Sequence, residues 1–162
     1  MAQALVCFYS QSGNTEKMAH LIADVLKEEG LTVDLKSVEN TRAETLHEYD
    51  AIVIGSPTYY GTMSWQVKKL LDESVVLHGR LKGKIGGAFS SSANIAGGNE
   101  TTILDIIDAM LIHGMIVQGE PIGDHYGPVA IGSPDERARA CGTRFAKNIA
   151  ALVQKLYGKR HG

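Results

Sequence analysis

A short apolar run, a hydroxyl-rich loop and an amphipathic segment follow one another at the start of the chain, and this succession limits the fold more than any other feature. Ala4-Leu5-Val6-Cys7-Phe8-Tyr9 has the length and composition of a buried strand. Ser10-Gln11-Ser12-Gly13-Asn14-Thr15 is the loop. Glu16 to Glu29 then repeats apolar residues at helical spacing, with Met18, Leu21, Ile22, Val25 and Leu26 on one face. A loop that enters a helix in this way aims unpaired backbone N–H groups into one concavity, and the helix dipole adds positive potential there. The hydroxyls of Ser10, Ser12 and Thr15 and the Asn14 amide add donors, while Gly13 permits a tight turn and close approach of a ligand. The loop has no Lys or Arg, so it would hold a phosphate by neutral donors alone. Its spacing is that of neither a Walker loop nor a Gly-x-Gly-x-x-Gly loop. Taken singly, it also reads as an ordinary polar strand-to-helix turn.

The same alternation continues. Gly30 stops the first helix, and Leu31 to Lys36 alternates as a half-buried strand. Asp50 to Gly55 is a continuous apolar strand, as a parallel sheet covered on both faces requires. Thr62 to Glu73 predicts a helix with Met63, Val67, Leu70 and Leu71 inward, and Lys84 to Phe89 a fourth strand. Glu100 to His113 predicts a helix, and Met115 to Gln118 a short fifth strand. Glu120 to Gly132 reads as irregular, with Pro121, Gly123, Gly127 and Pro128. Ser133-Pro134-Asp135-Glu136 starts a last helix, with Ser133 at the N-cap, running to about Tyr157, and the tail from Gly158 reads as frayed. Five strands alternating with helices predict an α/β fold: a doubly wound five-stranded parallel sheet with helices on both faces. No repeat or linker interrupts it, so residues 1–162 form one domain.

Composition excludes several classes. The formal charge is only −2, and no basic patch or polybasic run recommends nucleic acid or a membrane surface as partner. No apolar run is long enough for a transmembrane helix and the N-terminus lacks a signal-peptide pattern, so a cytoplasmic protein is expected. Cys7 and Cys141 make no disulfide framework and read as packing residues. His20, His47, His125 and His161 show no metal-ligand spacing, so no metal is expected. No Ser-His-Asp or Cys-His arrangement supports a hydrolase.

Two further loops follow the third and fourth strands. Ser56-Pro57-Thr58-Tyr59-Tyr60-Gly61 offers a stiff Pro57, the Thr58 hydroxyl and two flat rings. Ser90 to Asn99 is small and polar, and its backbone N–H groups suit the edge of a heterocycle. Ligands of doubly wound sheets sit beyond the carboxyl ends of the strands, where the strand order reverses. The three loops converge there.

The first loop resembles the phosphate loop of flavodoxin-like proteins, Ser/Thr-x-Ser/Thr-Gly-x-Thr, which binds the phosphate of FMN, and with it goes the flavodoxin-like strand order 2-1-3-4-5. Gly55-Ser56-Pro57-Thr58-Tyr59-Tyr60-Gly61-Thr62-Met63 is similar to the Gly-Thr-Pro-Thr-x-Phe/Tyr-Gly-Asn-Met stretch of the WrbA-type NAD(P)H:quinone oxidoreductases. Leu70-Leu71-Asp72, Gly83-Lys84, Phe89 to Ser92, Gly97 to Ile103, His113-Gly114-Met115 and Tyr126-Gly127 continue the match over nearly the whole chain. The chain departs from that family in short connections at Ser37 to Tyr49 and Ser74 to Leu81. It also has Leu77-His78 where the family has a tryptophan, Ile112 before His113, and Ser12 in the first loop.

The resemblance implies FMN contacts from Ser10, Gln11, Ser12, Gly13, Asn14 and Thr15, and from Pro57, Thr58, Tyr59, Tyr60 and Gly61. It implies further contacts from Ser91, Ser92, Ala93, Asn94, Ile95, Ala96 and Gly97, with His113 approaching the ring from the end of its helix. The implied activity is two-electron transfer from NAD(P)H to a quinone or similar acceptor, with Tyr60 and His113 able to donate a hydrogen bond or proton to the acceptor. A homodimer or homotetramer is implied too, since the short Ser74 to Leu81 stretch leaves one wall of a substrate pocket to a neighbouring subunit. The rival is a flavodoxin-type single-electron carrier, although a net charge of −2 is small for a protein steered to basic partners. A third reading is a domain of this fold without flavin.

Overall fold

The computed structural model describes residues 1–158; His161 and most of the tail read as frayed lie outside the described residues. In chain order the elements are β1 (Gln3–Phe8), α1 (Asn14–Glu28), β2 (Thr32–Ser37), β3 (Ala51–Pro57), α2 (Trp65–Glu73), β4 (Ile85–Ser92), α3 (Asn99–Ile112), β5 (Ile116–Val117), β6 (Val129–Ile131) and α4 (Glu136–Tyr157). Short 3-10 turns at Val38–Asn40, Ala43–Glu48 and Ser74–Leu77 fill the connections.

The strand order is β2-β1-β3-β4-β5, all pairs parallel, as the alternation of elements predicts. The fifth position holds two short strands rather than one. β5 pairs with Ile85 and Gly86 at the start of β4, and β6 pairs with Ser90 to Ser92 at its end. The stretch expected to be irregular therefore contains a strand. Val129-Ala130-Ile131 is too short to show a period of its own, and Pro128 and Gly132 bracket it. Its pairing is specified by the far half of β4. That same double pairing extends β4 past Phe89, so Ser90, Ser91 and Ser92 are the buried end of a strand and not a loop.

Alternation along β1 builds two cores, one on each face. Ala4, Val6 and Phe8 point to α1 and α4, where they meet Met18, Ile22, Leu26, Phe145 and Ile149. Leu5 and Cys7 point to α2 and α3, where they meet Val67, Leu70, Ile103, Ile106 and Met110. Period-2 side-chain placement makes this division unavoidable in a sheet covered twice. Burial of Cys7 pushes its thiol up to about 12, which keeps it neutral in the core.

Two helix starts differ from expectation. α2 begins at Trp65, because the Ser64 hydroxyl accepts from the Val67 N–H at 3.3 Å and Tyr59 to Thr62 close a tight turn of their own. α4 is capped by Asp135, which accepts from the Ala138 N–H at 2.8 Å, instead of by Ser133.

Candidate functional site

Beyond the carboxyl ends of β1, β3 and β4 the three loops meet at one mouth. In the first, the Gly13 N–H donates to Ser10 Oγ at 3.1 Å, and Gly13 takes φ +89° as the cap of α1. The first helical bond runs from the Lys17 N–H to the Gly13 carbonyl. The N–H groups of Asn14, Thr15 and Glu16 therefore have no intrahelical acceptor and stand at the positive end of the dipole. Thr15 is buried, and its Oγ1 lies 2.8 Å from Ser91 Oγ on β4.

The second loop is tied to the end of β4. The Thr58 N–H donates to the Ser91 carbonyl at 2.8 Å, and Thr58 Oγ1 lies 3.0 Å from Ser90 Oγ. Tyr59 and Thr62 exchange backbone hydrogen bonds of 2.9 and 3.1 Å, which forces Tyr60 (φ +50°) and Gly61 (φ +80°) into the left-handed region. The Tyr59 hydroxyl reaches across the mouth to Gln11 Oε1 at 3.1 Å. Burial, with Tyr9 adding, raises the Tyr59 pKa, so the phenol is a neutral donor. At the end of β4, Ser92 Oγ donates to the Asn94 carbonyl of the third loop and accepts from the Asn99 amide at the start of α3, both at 2.9 Å.

These residues line a cavity of about 400 Å³: Gln11, Ser12, Asn14, Thr15, Pro57, Thr58, Tyr59, Ser91, Ser92 and Ala93, with Gly132 just after β6. None carries a charge. A lining of hydroxyls, amides and orphan N–H groups at a helix N-terminus matches a phosphate-bearing ligand, and the volume lies within the usual range for small-molecule sites. Ser10 and Gly13 frame the first loop. Tyr60 stands fully exposed at the tip of the second, and Ile95 is exposed on the third, where Ala96 takes φ +53°. Asn94 to Gly97 and Gly61 belong to the rim and not to the cavity lining.

His113 is not brought to the mouth. It caps the C-terminus of α3, a helix of 14 residues that starts at the mouth and runs antiparallel to the strands. At 1.5 Å per residue its ring lies roughly 20 Å from that start, at the opposite end of the sheet. There Ser74 Oγ donates to the Leu71 carbonyl at 2.6 Å, so the contact of 2.8 Å between Ser74 Oγ and His113 Nε2 has the imidazole as donor. Burial, with His78 beside it, lowers the His113 pKa and keeps the ring neutral. It borders a cavity of about 530 Å³ whose walls combine Met63, Leu71, Val75 and Ile112 with His78, Lys68, Asp72, Asp105 and Asp108. The resemblance implies that His113 approaches a flavin ring from the end of its helix; the direction of α3 carries it away from the mouth of its own chain.

The sequence did not single out Gly132, Thr101 or Thr102. Gly132 joins through β6, which has no sequence signal of its own. Thr101 and Thr102 open α3 next to the third loop, and Thr102 Oγ1 lies 3.2 Å from Thr58 Oγ1. Their adjacency to that loop was the available sign. Among the described residues no group of His, Cys, Asp and Glu could hold a metal ion, and no helix is long and apolar enough to cross a membrane.

Residues 5–104 match the flavodoxin domain family. Over 190 residues the chain is 34% identical to a protein of Archaeoglobus fulgidus named NAD(P)H dehydrogenase (quinone), with 96% of this chain and all of that protein covered. It is 37% identical over 166 residues to a protein of Aquifex aeolicus named flavodoxin, covering 94% of this chain and 90% of that protein. Among solved structures it resembles a flavodoxin, WrbA-like protein of Agrobacterium tumefaciens, with a TM-score of 0.75 and 27% identity, covering 94% of this chain and 99% of that one.

Proposed function

The chain belongs to the flavodoxin domain family, and on that premise we propose that it is an FMN-dependent oxidoreductase that transfers two electrons from NAD(P)H to a quinone or similar acceptor. The observation that carries this reading is the uncharged, donor-lined mouth, with a phosphate cradle at one end and an uncovered platform at the other. Similarity over the whole chain to proteins named NAD(P)H dehydrogenase (quinone) supports the activity.

When bound, FMN would supply the redox chemistry, accepting a hydride and returning its electrons to the acceptor. The N–H groups of Asn14 and Thr15 and the hydroxyls of Ser12 and Thr15 would hold the phosphate. Thr58, fixed by Ser90 and Ser91, would orient the sugar alcohol or ring edge, and Tyr59 would close the mouth over Gln11. Backbone N–H groups of Ala93 to Gly97 would meet the polar edge of the ring, where charge gathers on reduction. The Ala93 to Asn99 loop contains no aromatic side chain, so it would leave a ring face open to a second planar molecule. Tyr60, fully exposed at the rim, is placed to offer its hydroxyl to an acceptor oxygen.

An open face needs a second wall. Trp65, Val75, Val76 and Ile112 are all well exposed, and we assign this surface to contact between copies in a homodimer or homotetramer. His113 can act on a flavin only from a neighbouring copy. Two free thiols suit a reducing, cytoplasmic setting.

A single-electron carrier is the second reading, favoured by the similarity to proteins named flavodoxin and opposed by the low net charge. The cofactor assignment is tested by reconstitution: the protein should take up FMN one to one and turn yellow. A protein that stays colourless with excess FMN would contradict it.

A further inference from the structure

The two loops that flank the mouth touch each other through bare backbone. Gly61 and Gly98 both lie in the left-handed region, at φ +80° and +93°. A Cβ on Gly98 would fall 2.5 Å from the Gly61 Cα and 3.3 Å from its nitrogen, so no other residue fits at position 98 without displacing the turn. One hydroxyl spans the joint. Thr101 Oγ1, in the first turn of α3, donates to the Gly61 carbonyl and lies 2.9 Å from the Gly98 carbonyl. Its single proton is shared between the two loops. Neighbours reinforce the joint: Thr102 Oγ1 contacts both Thr58 Oγ1 at 3.2 Å and the Gly98 carbonyl at 2.8 Å, and Thr62 Oγ1 donates to the Asp105 carboxylate. The Thr58 to Thr62 turn is therefore bolted to the start of α3 at three of its residues, Thr58, Gly61 and Thr62.

We propose that Thr101 is a positioning residue for the ring end of the FMN site, and that it works by locking the Thr58–Thr62 turn and the Ala93–Gly98 loop into one body. The inference rests on the FMN reading above. Holding the Gly61 carbonyl fixes the direction of that peptide, and the glycine contact fixes the spacing of the two loops. Together they set the width of the slot between them. The phosphate end is built separately, on the N-terminus of α1, and the Thr101 hydroxyl bonds to nothing there.

The division predicts which ligands notice the hydroxyl. Thr101→Val keeps the shape of the side chain and removes the donor; Thr101→Ser keeps the donor. Each is titrated with FMN, riboflavin and inorganic phosphate. Thr101→Val should weaken FMN and riboflavin by the same factor, roughly tenfold for one lost hydrogen bond. It should leave phosphate affinity unchanged and shift the visible spectrum of bound FMN, and Thr101→Ser should restore both affinity and spectrum. Wild-type affinity and spectrum in Thr101→Val would overturn the proposal. So would an equal loss of phosphate affinity, which marks general loosening. Amide hydrogen exchange on the ligand-free wild type is a second arm that needs no variant. The 58–62 and 93–98 segments should open at a common rate, and independent rates would overturn the proposal. A wild type that never binds FMN would refute the cofactor reading instead, and the exchange arm would still report on the joint.

Discussion

Thr15 and Ser91, 76 positions apart in sequence, share a buried hydroxyl–hydroxyl hydrogen bond of 2.8 Å. It ties the Ser10–Thr15 loop after β1 to the end of β4. With Ser91 as donor, Thr15 keeps its own proton for an anion. Hydrogen bonds to charged groups contribute about 1.5–3 kcal/mol. Thr15→Ala should therefore weaken FMN by at least tenfold and riboflavin, which has no phosphate, far less. Equal losses for the two ligands, measured by fluorescence quenching, would contradict the phosphate assignment.

Trp65 begins α2 with 69% of its surface exposed, so it packs outside its own subunit core. Its replacement should leave folding intact. Trp65→Arg is expected to weaken the homodimer or homotetramer in sedimentation and to lose quinone turnover while keeping bound FMN. A wild type that sediments as a monomer with full turnover would remove the assembly from the account.

The layout of the fold was legible because the strands and helices carry their own periods: β3 is a solid apolar run, and α1 shows one clean apolar face. The candidate phosphate loop could be proposed from sequence because its donors lie within six consecutive residues, Ser10 to Thr15. What the sequence hid depends on tertiary pairing. β6 pairs with the free edge of Ser90 to Ser92, and Ser90 and Ser91 are held as strand by β3 on their other side. Thr101 matters through a carbonyl 40 positions away. For His113, resemblance supplies a contact without saying which copy makes it. The direction of α3 carries the ring away from the mouth of its own chain.

The His113 ring gives acid sensitivity. Burial, then His78, hold its pKa below the ordinary 6.5. The unfolded chain then takes up a proton at a higher pH than the folded one. The stability this neutral ring contributes is present above the unfolded value and is lost as pH falls through the folded one. Thermal midpoints should drop on acidification below about pH 6.5, and His113→Gln should flatten that part of the profile. Identical slopes for the two proteins would show that His113 titrates as it does in the unfolded chain.

Burial of Cys7 has the opposite sense. Its thiol is raised from 9.0 to about 12, so stability falls as pH rises between those values, where only the unfolded chain ionises. The same burial makes the thiol unreactive. A thiol reagent near neutral pH should label only the partly exposed Cys141 in the native protein and both cysteines after unfolding. Prompt native labelling of Cys7 would contradict its place in the core.

Electron count separates the enzyme from the carrier. Stepwise reduction of the FMN-loaded protein with dithionite should pass from oxidised to fully reduced flavin with little one-electron species between. A dominant, long-lived radical band at half reduction would favour the single-electron carrier.

The most direct test of the central claim is anaerobic mixing of the FMN-loaded protein with NADH or NADPH alone, followed at the flavin absorption band. The flavin should bleach fully without any partner protein, and the oxidised spectrum should return when a quinone is added. A flavin that stays oxidised with both nucleotides, yet is reduced at once by dithionite, would contradict it.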